Sequence, residues 1–244
     1  MKKLLISVVI ILLLLAGLYF IFNDKSEYQM GDSGFKEGEE EITLLVNPAL
    51  SENKTYKEPT TYAIFDVVYP QFENVSAEFN KKIEDLVVEA IRIHTEDSEA
   101  NWKARSDDAP AEKFQFYTAW TPVQVNKNYV SFLMRLGGYV GGAHGYENLA
   151  SFNYDVTAKK EIALSDLFSK DPNYLKTISE FVRRDLRRQL GNNTNEDMLF
   201  FGTEPNTDNF SVFTLLPDSA TFYFQEYQVA PYAMGESKVI MPRK

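Results

Sequence analysis

Three hydrophobic rhythms run along this chain. The first is unbroken: Leu4 to Phe22, LLISVVIILLLLAGLYFIF, is 19 residues without a charge. At about 1.5 Å rise per residue it makes roughly 28 Å of helix, close to the ~30 Å hydrocarbon core of a bilayer. The second rhythm is helical. Val75, Phe79, Ile83, Leu86, Val87, Ala90 and Ile91 recur three or four residues apart, which predicts an amphipathic helix over 75–103 capped by Asn74 or Ser76. His94 continues that stripe, and the helical period alone accounts for it as a core or boundary residue. Leu175, Ile178, Val182, Leu186 and Leu190 make a second stripe, with Asp171 as its cap, Pro172 at its first position and Gly191 just past its end. The third rhythm is that of strands, rich in β-branched and aromatic residues, at 60–69, 114–125, 129–138, 146–155, 210–216, 221–224 and 239–241. Asn126-Lys127-Asn128 and Pro217-Asp218 supply turns. The order predicts an α+β fold, mostly antiparallel sheet with two main helices, preceded by one N-terminal transmembrane helix.

Lys2 and Lys3 stand before the apolar run, and Asn23 and Asp24 follow it. The positive-inside rule then predicts a single-pass anchor in the cytoplasmic membrane, N-terminus inside and residues 24–244 extracytoplasmic. A cleaved signal peptide fits less well, because the run ends Leu-Tyr-Phe-Ile-Phe and offers no small-residue cleavage site. With three residues ahead of the run, no cytoplasmic domain is expected. Residues 24–55 are glycine-containing and acidic, with Glu37 and Glu39 to Glu41, and are expected to form a flexible tether reaching about 35 Å. Ile42 to Val46 is a brief apolar interruption suited to a short strand. A plain spacer explains this segment better than a binding role does. The expected organisation is an anchor at 1–23, the tether at 24–55, and domains at 56–145 and 146–244 that share one compact unit.

Composition narrows the function. With 18 Phe and 14 Tyr among 244 residues, the chain can build a substantial core, which rules out wholesale disorder. Its formal net charge of -10 becomes -12 once Lys2 and Lys3 are set aside. That argues against nucleic-acid binding and would steer a strongly basic protein towards the outer part, although acidic surfaces also serve solubility. The absence of Cys excludes disulfides, thiol nucleophiles and Cys-ligated metals, and only His94 and His144 are available as imidazoles.

Two segments carry candidate chemistry. Tyr139-Val140-Gly141-Gly142-Ala143-His144-Gly145 has three glycines in five residues, which displays His144 on a tight turn between two strands. Its imidazole is placed to ligate a metal, act as a base or donate to a sugar or peptide oxygen; alternatively it bonds nearby backbone and locks the turn. Tyr227 to Gly235, YQVAPYAMG, offers Tyr232 on a loop as a flat aromatic face with a hydroxyl, suited to sugar rings or protein anchors, or else packed on the neighbouring sheet. The candidate ligand-binding residues are therefore Tyr139, Gly142, His144, Tyr146, Pro231 and Tyr232. Arg183, Arg184, Arg187 and Arg188 read better as the solvated face of the second helix than as an anion site. No G-x-S-x-G elbow, P-loop or H-E-x-x-H appears, and the acidic runs read as solvated faces. No catalysis, cofactor or metal is expected on these grounds; an envelope enzyme using His144 as acid/base or metal ligand is the alternative.

Taken together, Leu136–Phe168 (LGGYVGGAHGYENLASFNYDVTAKKEIALSDLF) and Phe213–Gly235 (FTLLPDSATFYFQEYQVAPYAMG) resemble the two signatures of an extracytoplasmic region shared by RsiV-type anti-sigma factors and PdaC-type peptidoglycan deacetylases. Tyr62–Ile91 is similar to the start of the PdaC-like domain that precedes it, so the resemblance covers about residues 56–242. In the anti-sigma factors the region is a lysozyme receptor; in the deacetylases it accompanies a polysaccharide deacetylase domain with a metal-binding Asp-His-His set. Here the two histidines lie fifty positions apart and do not make that set. The resemblance implies a membrane-anchored binding module of a bacterial envelope, with a lysozyme-like basic protein or cell-wall glycan as partner. The histidine turn and the Tyr232 loop are expected to end strands of one sheet and to line one groove.

Overall fold

Ser76 opens the longest helix of the structure, a computed structural model in which residues 45–106, 112–168 and 170–243 are described. The apolar run Leu4–Phe22 and most of the acidic tether lie outside the described residues, and among those described no helix is long and apolar enough to cross a membrane. The Ser76 hydroxyl accepts the Phe79 N–H at 3.2 Å, satisfying one orphan donor of helix α1 (Ala77–Ala104). The expected stripe is the buried one: Phe79, Ile83, Val87, His94 and Ser98 face inward.

Helix α1 packs on a six-stranded sheet whose spatial order follows the chain: β1 (Ser51–Tyr56), β2 (Ala63–Phe72), β3 (Phe114–Val125), β4 (Tyr129–Tyr139), β5 (Tyr146–Asp155) and β6 (Lys160–Glu161). Neighbours are antiparallel except β2 and β3, which run parallel because α1 carries the chain back between them. The α+β fold with mostly antiparallel pairing stands as expected, and the one parallel pair makes the large sheet mixed. Phe65, Phe79, Phe116, Phe132 and Phe152 fill the space under α1.

A second core lies in the C-terminal half. Here α2 (Leu164–Leu167), α3 (Tyr174–Leu190) and α4 (Glu196–Gly202) accompany a three-stranded antiparallel sheet of β7 (Phe213–Leu215), β8 (Ser219–Phe224) and β9 (Ser237–Pro242). Ile178, Val182 and Leu186 of α3 meet Phe222 and Val239. Helix α3 starts two residues later than its pattern indicated, with Asn173 at the cap position. Asp171 still serves the helix start, accepting from the Asn173 N–H (2.8 Å) and the Thr177 hydroxyl (2.7 Å). Helix α4 occupies a stretch that reads as loop, and β1 occupies residues that read as the end of the tether. Both owe their order to what they pack or pair with.

The two sheets are joined through buried polar side chains. Gln124 donates to the Leu215 carbonyl, the Ser131 hydroxyl accepts the Leu215 N–H, and Asn153 donates to the Phe213 carbonyl, each at 2.8 Å. Around them Leu133, Leu149 and Val212 form a small apolar seam with Tyr223 packed against it. The C-terminal sheet thereby covers one end of the outer face of the large sheet and leaves the other end open.

Candidate functional site

The open end is shaped by two consecutive glycines on β4. Side chains of a strand alternate between faces, so Gly137 and Gly138 leave one gap on each. A Cβ on Gly137 would lie 2.2 Å from the Tyr117 ring, and one on Gly138 would lie 2.9 Å from the Tyr146 hydroxyl. On the outer face Tyr117 therefore leans across Gly137, and its hydroxyl donates to Glu147 Oε2 at 3.0 Å. Burial, reinforced by the Glu147 carboxylate, pushes the Tyr117 phenol up to about 12, so it stays a donor. Arg135, half-buried, spans two carboxylates, Glu147 (2.9 Å) and Glu236. On the inner face Tyr146 leans across Gly138 to meet His94 Nδ1 at 2.9 Å. His94 is wholly buried, and that burial pulls its pKa down to about 4.

The loop between β8 and β9 walls the outer face. Gln225 ties it down: its side-chain amide accepts the Leu149 N–H (2.9 Å) and donates to the Leu149 carbonyl (2.7 Å), completing the free edge of β5 as a backbone would. Beyond it, Tyr232 and Glu226 overhang a cleft of about 360 Å³ floored by Gln115, Tyr117, Tyr139 and Glu147. A second hollow of about 320 Å³ shares Glu147, Glu226 and Tyr232 and reaches Glu236.

The histidine turn closes onto this loop. Gly141 and Gly142 take φ of 96° and 101°, a backbone that side chains disfavour, and so reverse the chain sharply. His144 then stacks on Tyr232, ring centroids 4.1 Å apart and planes 20° from parallel. Its Nδ1 lies 2.6 Å from the Gly145 carbonyl, which can only accept, so Nδ1 carries the proton. The Nε2 lone pair is left to accept the Tyr227 hydroxyl at 3.1 Å. Tyr227 is held at φ 63°, a strained backbone for a tyrosine, with its ring 5.9 Å from that of Tyr232.

The two candidate segments do meet, but they come from different sheets: the turn joins β4 to β5 of the large sheet, and the Tyr232 loop joins β8 to β9 of the small one. Their expected origin in one sheet is corrected. Tyr139 and Tyr232 border the cleft, with Tyr146 at its edge, and His144 backs Tyr232. Gly142 instead borders a separate hollow beside the end of α1, although its carbonyl holds the Tyr139 hydroxyl at 3.0 Å. Pro231 caps the short 3-10 turn at Tyr232–Met234. Sequence reasoning missed Tyr117, Arg135, Glu147, Glu226 and Tyr227. One signal was present: Arg135 stands alone as a charge in the buried run Phe132–Leu136. Among the described residues, no group of three or more His, Asp or Glu is gathered as a metal ion would need.

Residues 56–147 match the family described as deacetylase PdaC, and residues 165–244 match the protein family of unknown function DUF3298. The two matched stretches follow one another along the chain. It is 26% identical over 207 residues to the peptidoglycan-N-acetylmuramic acid deacetylase PdaC of Bacillus subtilis, a match covering 84% of this chain and 40% of that protein. Esterase Rv3036c of Mycobacterium tuberculosis is 26% identical over 136 residues, 56% of each chain. This chain therefore spans well under two thirds of either relative. The crystal structure of a DUF3298 family protein from Pseudomonas aeruginosa shares the fold with a TM-score of 0.54 at 15% identity, covering 79% of this chain and 89% of that one.

These relatives correct one expectation. Missing motifs pointed to a chain without catalysis, yet two relatives are named as hydrolases. Local motifs cannot exclude catalysis, because side chains distant in sequence are brought together in space, as His144 and Tyr227 are, 83 positions apart and 3.1 Å from each other.

Proposed function

We propose that this chain is an extracytoplasmic module of the bacterial envelope, held to the membrane through Leu4–Phe22, that engages peptidoglycan glycan in the cleft where its two domains meet. The observation that carries this is the cleft itself: exposed faces of Tyr117, Tyr139 and Tyr232 beside hydrogen-bonding carboxylates suit a sugar's flat apolar faces and its hydroxyls. Similarity to a protein named for acting on peptidoglycan supports the choice of glycan. A lysozyme-like protein is the alternative ligand, supported by the acidic net charge.

Hydrolysis is a second reading, favoured by the His144–Tyr227 pair and by the names of both relatives. In it, water displaces the Tyr227 hydroxyl from His144 Nε2, which takes the water's proton as its oxygen bonds to an acyl carbon; the acyl C–O or C–N bond then breaks, and the imidazolium returns that proton to the departing sugar oxygen or nitrogen, leaving the carboxylic acid.

The test uses the full-length chain in lipid nanodiscs, titrated calorimetrically with defined muropeptide oligomers and with lysozyme at physiological salt, with released acid measured in parallel. Saturable oligomer binding that weakens at least tenfold in Tyr232→Ala is expected. Lysozyme binding without oligomer binding would refute the glycan reading. Acid release abolished in His144→Ala, with oligomer binding retained, is the mark of hydrolysis.

A further inference from the structure

We infer that the cleft selects a sugar unit bearing a free amino group, a cationic hexosamine, over the same sugar N-acylated. This rests on the glycan reading above and names the chemistry of the ligand.

The first observation is aromatic. Tyr117 and Tyr139 are each 42% exposed and Tyr232 38%, and they line floor and wall of one hollow rather than lying scattered on the surface. A cation within about 6 Å of such ring faces is attracted by their quadrupoles, more strongly where water is partly excluded. The second is the charge balance. Glu147, Glu226 and Glu236 border the two adjoining hollows, and no Lys or Arg lines either. Arg135 beneath them has its fork committed to Glu147 and Glu236, which leaves the site with two surplus negative charges. Glu226 is exposed on the overhanging loop and borders both hollows, so it faces a ligand in either. The third is donor chemistry. The Tyr117 hydroxyl is already committed to Glu147 and carboxylates only accept, so where Glu147, Glu226 and Glu236 border the hollows the ligand must supply the donors, the lining's own donors being the Gln115 amide and the Tyr232 hydroxyl. An ammonium brings three; an acetamide brings one and adds a carbonyl that needs a donor the carboxylates lack.

A free amine on a wall sugar arises when an N-acyl group is hydrolysed: R–NH–CO–CH3 and water give R–NH3+ and acetate. A de-N-acylating hydrolysis is therefore the class of reaction that must supply this ligand, whether performed by this chain or by another.

The experiment titrates the full-length chain in nanodiscs with a glucosamine tetramer, an N-acetylglucosamine tetramer and tetralysine at physiological salt. The amino tetramer is expected to bind at least tenfold more tightly than the acetylated one. Glu226→Gln, an exposed isosteric change, is expected to shrink that preference to about threefold or less, and Tyr232→Ala to weaken both tetramers. Equal or tighter binding of the acetylated tetramer would overturn amine selection and leave the glycan reading standing. Binding of neither tetramer would remove both. Tetralysine binding as tightly as the amino tetramer would reduce the cleft to a general attractor of cations and overturn the inference.

Discussion

Acid is expected to loosen α1 from the sheet through a single side chain, His94. The imidazole is wholly buried between Phe65 and Phe116, and Nδ1 is bonded to the Tyr146 hydroxyl. Nε2 has no partner among the described residues, and neither has the hydroxyl of Ser98 one turn on. Burial holds the folded-state pKa near 4, against 6.5 for a free imidazole, with Asp97 pulling weakly the other way. The folded form thus resists the proton that the unfolded chain accepts. Above pH 6.5 both forms are neutral and the group has no effect on stability. Below it the unfolded chain binds the extra proton, and stability falls until the folded imidazole also titrates near pH 4. The interval of about 2.5 pH units, at ~1.4 kcal/mol per unit, amounts to about 3 kcal/mol, a large share of a typical domain's 5–15 kcal/mol. Native carboxylates with lowered pKa, such as Glu196 and Asp166, add their own losses only towards and below pH 4.5, so the window from 6.5 to 5 reports on His94. The assay is urea unfolding of the full-length chain in detergent, followed by Trp102 and Trp120 fluorescence, for wild type and His94→Gln. Wild type should lose about 1–2 kcal/mol more than the variant across that window. Parallel curves, or a His94 ring proton that titrates near 6.5 in the folded protein, would refute the reasoning.

Three further outcomes follow from the site's construction. Gly137→Ala places a Cβ 2.2 Å from the Tyr117 ring, which must swing out and release Glu147; a stability loss of about 1–3 kcal/mol is expected in urea unfolding, together with weaker oligomer binding. Gln225→Ala strands the Leu149 N–H and carbonyl, at a cost of about 1–3 kcal/mol. Hydrogen exchange at the Leu149 amide should accelerate strongly, and unchanged protection would show that the side chain is not the edge cap. Arg135→Met leaves Glu147 and Glu236 facing each other without their cation. The resulting instability should be largest at low ionic strength and shrink as salt screens the two like charges, whereas a salt-independent loss would point to packing alone.

What could be read from the sequence was what depends on local periodicity. The Phe79–Ile83–Val87 stripe, the Asn126–Asn128 hairpin and the Ser76 cap are short-range patterns, and each stands where it was expected. The parallel β2–β3 pair was not legible, because antiparallel and parallel strands carry the same alternation and only the length of the α1 crossover distinguishes them. Helix α4 was hidden for another reason: its seven residues are too few to show a period, and it is held by contacts such as Gln228 donating to the Gly202 carbonyl. The site divides along the same line. The glycine turn and the Tyr232 loop announced themselves by composition, but the groups that give the cleft its charge did not. Tyr117 reaches Glu147 only because β4 places Gly137 between them, and Arg135 meets Glu236 across 101 positions of chain. Those relations are products of register, and register is set by the whole sheet. The same logic explains why absent motifs were a poor guide to catalysis. A motif shows only groups that are local in sequence, whereas His144, Tyr227 and Tyr232 form a stacked, hydrogen-bonded group only where the loops of two sheets meet.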